Sequence, residues 1–427
     1  MTRLRKITIA NGLRVLFIPR PEAFAATVLV LVQAGSEYET KRANGVSHFL
    51  EHMMFKGTFH RPRPGMIAHE LAALGAQSNA FTDQEYTGYY AKARAGKLNE
   101  ILDIITDLYL NPLFDASEIE KERGVILQEI NMYEDDLPAK AQEILMRLVY
   151  GDQPAGWDVA GTKKSVRGLR RSDLVRYRAE RYVPSGTVVV IAGAFSPAPM
   201  LRFIKKHFGD LPRGRVTSKV RTFERQSAPR VKVYFRKADQ VHLAMGFRAF
   251  AMGDPRRYAL RLVADVLGGG DSSRLFMRVR EEMGAAYYVG AGANLSLDHG
   301  FLGISAGVDR GRIDEVIRVI LRECARMRDE EVPAKELRKS KDHVLGNLML
   351  GLETSDELAS FYGVQEIFGR ELLSPGQYAA RMKKVTAKEV RAAARAVIRE
   401  KNLNGVVVGP YRDARRFRAA MKLSPRS

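Results

Sequence analysis

Residues 47–58 read SHFLEHMMFKGT, with His48 and His52 four positions apart and Glu51 directly before the second histidine. On a helix, positions i and i+4 share one face, so both imidazoles can reach a single ion while Glu51 flanks them at i+3. Zinc accepts two histidine nitrogens and one carboxylate oxygen and keeps a fourth position for water, which it makes acidic enough to react near neutral pH. Glu51 can then serve as general base, taking a proton from the water that attacks a peptide carbonyl and passing it to the departing nitrogen. The set still needs a third ligand. Residues 118–136, EIEKERGVILQEINMYEDD, supply one by pattern: Glu122 and Glu129 stand seven apart and project from the same side of a helix. Spacing leaves both open.

These residues must be held by regular elements, and the chain is rich in their signals. KITIANGLRVLFIP, residues 6–19, alternates on both sides of Ala-Asn-Gly and predicts a β-hairpin. A third strand, ATVLVLVQAG, leads to the His48 segment, where Asn44 or Ser47 can cap a helix that Gly57 stops. AQSNAFTDQEYTGYYAKA has strand composition with a polar middle, helices follow to about Tyr150, and GTVVVIAGAF reads as a buried strand before an amphipathic helix. The polar, basic stretch 211–229 has the composition of a linker and puts a boundary near residue 220. The second half repeats the order of strands, helix, strands, helices and strand. The expected architecture is therefore α+β, a diverged duplication with domains at 1–215 and 216–427, each a mostly antiparallel sheet covered by helices.

Composition narrows the function. The 427 residues are enough for two cores, and the single cysteine, Cys324, excludes an intrachain disulfide and a cysteine-based zinc cluster. Any metal must sit among histidines and carboxylates. The start has no apolar signal region and no run approaches a membrane span, so the expectation is a cytoplasmic protein with no membrane partner. The net charge of +20 comes from scattered residues, including the tail YRDARRFRAAMKLSPRS, without a nucleic-acid module. It reads as a solvated basic surface, and no nucleic-acid partner is expected.

Three stretches, GVSHFLEHMMFKGT, GAQSNAFTDQEYTGYY and ERGVILQEINMYEDD, occur in an order and at distances that resemble the pitrilysin/insulinase family of inverted zinc peptidases, most closely its branch with the mitochondrial processing peptidase β subunit. The resemblance implies that His48, His52 and Glu129 bind Zn²⁺, that Glu51 is the base, and that Glu122 supports catalysis from just outside the ligand set. It implies that Asn79, Ala80 and Phe81 lie on an edge strand to which an extended peptide adds through main-chain hydrogen bonds. In GGGDSSRLFMRVREEMGAAYYVGA it picks out Arg280 and Tyr287, which in that family bind substrate and stabilise the tetrahedral oxyanion. Because one chain carries both sets, the implied assembly is a homodimer closing one chamber around peptide substrates, with a heterodimer of related chains as the alternative.

A zinc endopeptidase acting on extended peptides is thus the leading expectation. The competing one is a non-catalytic structural or chaperone-like subunit, a role that goes with a degraded zinc motif; here the motif is intact.

Overall fold

A computed structural model of the protein describes residues 4–423; the last four residues of the basic tail lie outside them. Two compact units emerge. The first takes in residues through Ile130, Trp157–Val220 and Met349–Leu373; the second takes in Asn131–Gly156, Arg221–Leu348 and the segment from Ser374 onward. The units are therefore not the continuous stretches 1–215 and 216–427. One of the changeovers falls at Val220 and Arg221.

The first unit is built on a six-stranded sheet in the order β1-β2-β6-β3-β5-β4, where β1 is Arg5–Thr8, β2 Arg14–Pro19, β3 Ala25–Val32, β4 Gln77–Thr82, β5 Thr87–Arg94 and β6 Thr187–Gly193. Only the β2–β6 pair is parallel. The expected hairpin is present, with Gly12 at φ 96° in its turn and the Asn11 amide donating to the carbonyl of Phe208 at 2.7 Å. β3 and β6 are apolar almost throughout because both faces of the sheet are covered. Val28, Val30, Val189 and Ile191 pack with the helix Val46–Met54 and the helix Leu98–Leu110. The opposite face, with Leu29, Leu31 and Val190, receives a helix from far along the chain, Ser355–Ile367. Gly363 lets it approach: a Cβ there would sit 2.7 Å from Leu31 and 3.2 Å from Val190. Polar contacts fix its register, with Glu366 bonded to Lys6 at 2.8 Å, Asp356 to Lys92 at 2.9 Å and Ser355 to Thr27 at 2.7 Å.

The second unit repeats the plan with five strands in the order β7-β11-β8-β10-β9: β7 Arg230–Phe235, β8 Gln240–Arg248, β9 Ala286–Leu295, β10 Gly300–Asp309 and β11 Leu403–Gly409. Its one parallel pair, β7–β11, corresponds to β2–β6, and β8, β10 and β9 correspond in order to β3, β5 and β4, while β1 of the first sheet has no counterpart. The expected duplication is thus visible as a shared order of five strands. One face packs on the helices Arg257–Gly268, Ile313–Asp329 and Ala387–Val397, with Cys324 buried among them. The other face receives the helix Leu137–Tyr150 from the first half of the chain, whose Ala141, Leu145 and Val149 meet Ala244, Val406 and Val408. Each sheet is therefore closed by a helix drawn from the other half of the sequence. Amphipathic spacing announces that such a helix has an apolar face; it does not say which sheet that face covers.

Two further expectations are revised. Stretch 211–229 has no helix or strand, yet its first part is strapped to the first unit: the Gly214 carbonyl accepts from Ser185 at 2.6 Å, the Thr217 carbonyl from Arg181 at 2.6 Å, and the buried Lys219 ammonium pairs with Glu37 and, at 2.7 Å, with Glu85. The His48 helix is capped by neither Asn44 nor Ser47. Gly45, at φ 94°, precedes it, and the carboxylate of Glu39 takes the helix-start donors: Gly45 N–H at 2.7 Å, Ser47 N–H at 2.8 Å and the Asn44 side-chain amide at 3.0 Å. Among the described residues, no helix is long and apolar enough to cross a membrane.

Two mutations test this framework. Leu145→Ala, which empties a fully buried position under the second sheet, is expected to cost about 2–5 kcal/mol, read as a lower denaturation midpoint in urea. Glu39→Ala leaves buried N–H donors without an acceptor and should cost at least about 2 kcal/mol, whereas Glu39→Gln, which keeps an acceptor oxygen, should lose less in the same assay.

Candidate metal and catalytic site

Helix Val46–Met54 exists because its apolar side is fully used: Val46, Phe49, Leu50, Met53 and Met54 are all buried. That leaves His48, Glu51 and His52 on the remaining side, half-buried. Helix Ala116–Asp135 packs Ile119, Ile126 and Ile130 into the same core and so presents Glu122 and Glu129 to the histidines.

The two imidazoles meet through Nε2, 3.2 Å apart, with ring planes at 75°. Glu129 Oε2 lies 3.6 Å from His48 Nε2 and 3.5 Å from His52 Nε2. Bonds of 2.0–2.1 Å to a tetrahedral ion place neighbouring ligand atoms about 3.3 Å apart, so this triangle has the dimensions of three ligands around one zinc. The donor set, two neutral nitrogens and a carboxylate oxygen, suits that ion and leaves a fourth direction for water. The three side chains are 12%, 20% and 22% exposed, recessed yet open to solvent.

Glu122 does something different. Its Oε1 lies 2.8 Å from His52 Nδ1 and its Oε2 lies 2.5 Å from the Lys56 ammonium. A proton on Nδ1, donated to Glu122, turns the Nε2 lone pair toward the ligand triangle and raises the basicity of the ring. The choice that spacing left open is thus made by geometry: Glu129 faces the paired Nε2 atoms and Glu122 stands behind His52.

Protonation follows from these contacts. Burial, then the neighbouring His52, pushes His48 down to about 4, so this ring is neutral at physiological pH, the form that binds metal. Burial also opposes charge on His52, but the hydrogen bond and charge of Glu122 outweigh it and raise this ring above the ordinary histidine value. Glu122 resists burial in the same way: His52 and Lys56 hold it below the usual carboxylate range. Burial raises Glu51, and the hydrogen bond it accepts from Thr82, 2.6 Å from Oγ1 to Oε2, partly offsets this.

The predicted substrate strand is an edge. β4 ends the sheet and pairs only with β5. Residues 77–79 are exposed, which leaves one side of the backbone available to another strand. Asn79 is exposed, with its side-chain oxygen accepting from Ala80 N–H at 2.9 Å. Ala80 packs against the core, and the Phe81 ring lies over Gly88, where any Cβ would meet it at 2.3 Å. Arg280 and Tyr287 belong to the second unit. Arg280 lies in a π-helical turn, Phe276–Glu282, with its guanidinium 5.0 Å from the Phe276 ring centre, and Tyr287 on β9 is 75% exposed. π-helical turns are rare and occur often at functional sites.

Sequence reasoning did not find Thr82, Lys56 or Glu39. Thr82 left a readable trace, since it shares a strand face with Ala80 at period 2. Lys56 lies four residues past His52, one helical turn away. Glu39 left none, because it acts from a loop.

Comparison with known proteins agrees with this geometry. Residues 14–163 match the model for insulinase, peptidase family M16, and residues 168–344 match the model for the peptidase M16 inactive domain. The chain is 33% identical over 366 residues to an uncharacterized zinc protease of Bacillus subtilis, covering 85% of this chain and 88% of the relative. It is 34% identical over 410 residues to an uncharacterized zinc protease of Mycobacterium tuberculosis, covering 95% and 93%. Among solved structures, a protease from Helicobacter pylori superposes with a TM-score of 0.88 at 20% identity, covering 96% of this chain and all of that one. A peptidase M16 inactive domain from Pseudomonas fluorescens does so with 0.89 at 19% identity, covering 96% and 99%. With the inverted histidine pair, its carboxylate partner and both family models on one polypeptide, the chain belongs to peptidase family M16, the insulinase family.

Proposed function

We propose that the protein is a zinc-dependent endopeptidase that hydrolyses extended peptides or unfolded polypeptides. The observation that carries this reading is the triangle of His48 Nε2, His52 Nε2 and Glu129 Oε2, with Glu51 on the same helix face. A metal site without a base would serve structure; a base beside three ligand atoms and an open direction serves hydrolysis.

When bound, zinc supplies Lewis acidity to the water and to the substrate carbonyl. This chain's residues do the rest. Glu122 holds the His52 ring in the tautomer that keeps Nε2 unprotonated. An extended peptide pairs with the outer edge of β4 around Asn79, Ala80 and Phe81, which explains a preference for unfolded chains with little sequence demand. Glu51 removes a proton from the attacking water as the C–O bond forms, and returns it to the amide nitrogen as the C–N bond breaks.

The finer reading places the protein near the mitochondrial processing peptidase β-subunit branch, working as a homodimer whose two copies enclose one chamber. Arg280 and Tyr287, both on exposed positions of the second unit, donate hydrogen bonds to the oxyanion there. The intact zinc motif favours this over a non-catalytic subunit.

Purified protein is expected to carry about one zinc per chain and to cleave a mixed peptide library, with cut sites read by mass spectrometry, until a chelator is added. Glu51→Gln should retain zinc and lose turnover by roughly 10²- to 10⁴-fold; unchanged turnover removes Glu51 as base. Glu122→Gln should weaken zinc binding by about 10- to 100-fold, measured by competition with a chromophoric chelator; unchanged affinity shows that the His52 contact does not tune the ligand.

A further inference from the structure

Glu51 is a long side chain with several soft torsions, and a carboxylate with no fixed partner samples more than one rotamer. A base must instead be held within hydrogen-bond reach of one proton. The contact that fixes Glu51 comes from β4. Side chains alternate along that strand, so Ala80 and Thr82 face the core while Phe81 faces away over Gly88. Thr82 is the last residue of the strand, and its Oγ1 donates to Glu51 Oε2 at 2.6 Å.

A hydroxyl has one proton to give, so its other neighbours matter. The Thr87 hydroxyl is 3.5 Å from Thr82 Oγ1 but donates to the Ala34 carbonyl at 3.0 Å. It therefore makes no demand on Glu51, and the Thr82 proton is directed to the carboxylate. Threonine is suited to this place because its β-branched side chain is stiff about χ1 and its strand is anchored to β5 through six paired residues.

We propose that Thr82 is a positioning residue for the reaction: it occupies Glu51 Oε2 and leaves Oε1 for the water, so that the strand offered to the substrate also aims the base. The inference rests on the peptidase reading above. It ties two events to one element, because a peptide that adds to the outer edge of β4 stiffens the segment whose last residue holds Glu51.

The test uses the full-length, zinc-loaded protein and an internally quenched peptide that the wild type cleaves and Glu51→Gln does not. Thr82→Val keeps the shape and removes the proton; Thr82→Ser keeps the proton. For Thr82→Val, kcat should fall about ten- to hundredfold with KM within about twofold. Its zinc content and Tm should match wild type, and in its crystals the Glu51 carboxylate should leave its place beside residue 82. Thr82→Ser should recover most of the turnover. Wild-type kcat in Thr82→Val, an unmoved Glu51 in its crystals, a loss carried by KM, or a Thr82→Ser as slow as Thr82→Val would each overturn the proposal. Failure of the wild type to cleave any peptide would overturn the peptidase reading instead, and turnover undiminished in Glu51→Gln would remove Glu51 as base; in either case the position of Glu51 in the Thr82→Val crystals would still decide whether Thr82 holds that carboxylate.

Discussion

Two helices must bring two uncharged ring nitrogens and a carboxylate oxygen within 3.2–3.6 Å of one another, and much of the first unit serves that approach. Packing alone would not favour it. Polar groups drawn out of water need partners, and in the form that binds metal neither ring nitrogen has a proton to offer the other. The approach is held by contacts around the triangle. Phe49, Leu50 and Ile126 share one core, which fixes the distance between the helices. Glu122 ties His52 to the second helix, and Lys56 balances the charge of Glu122. Glu39 closes the start of the histidine helix and so sets its first turn. Each contact removes a way for the ligands to drift apart, which is what preorganisation of a metal site requires.

The sheet beneath has to be rigid for the same reason, and the exchanged helices explain how it becomes so. A sheet with one face in water would tolerate polar residues at alternate positions of its central strands. Here β3 and β6 are apolar on both faces, and the helix Ser355–Ile367 covers the second face with two ion-paired carboxylates as register marks. Folding of the first unit therefore waits on residues made more than 300 positions after β1. Contacts so distant in sequence slow folding, and they make each unit depend on both halves of the chain.

What could be read from the sequence follows from the range of the interactions concerned. The histidine pair, the hairpin, the edge strand and the continuous apolar strands are local patterns with periods of 3.6 or 2, and each appears where expected. The choice between Glu122 and Glu129 was beyond spacing, because both project from one helix side and only the crossing of two helices decides which reaches Nε2 and which Nδ1. The resemblance carried that choice. The continuous domain bounds failed because an apolar stripe has no address: the helices Leu137–Tyr150 and Ser355–Ile367 each join the unit of the other half. The cap failed because Asn44 and Ser47 are the right residue types at the right place, while the acceptor used is a buried glutamate in the preceding loop.

The second unit shows what the same plan looks like without this demand. Its helix Arg257–Gly268 follows β8 as the histidine helix follows β3, yet it contains no histidine, and Tyr258, Leu262, Val263, Val266 and Leu267 bury its apolar side. Its one carboxylate, Asp265, is engaged by Ser340 at 2.6 Å and His343 at 2.7 Å. A duplicated fold needs only one copy of the chemistry, and the other copy is then free to vary wherever packing allows. The shared order of five strands with different helix chemistry separates the two kinds of constraint. Sheet topology is kept by burial on both faces, whereas His48, Glu51, His52 and Glu129 answer to a requirement that burial does not impose. The candidate site is therefore a few side chains placed on a scaffold whose strand order occurs twice in the chain, with the His48/His52/Glu129 cluster on one copy.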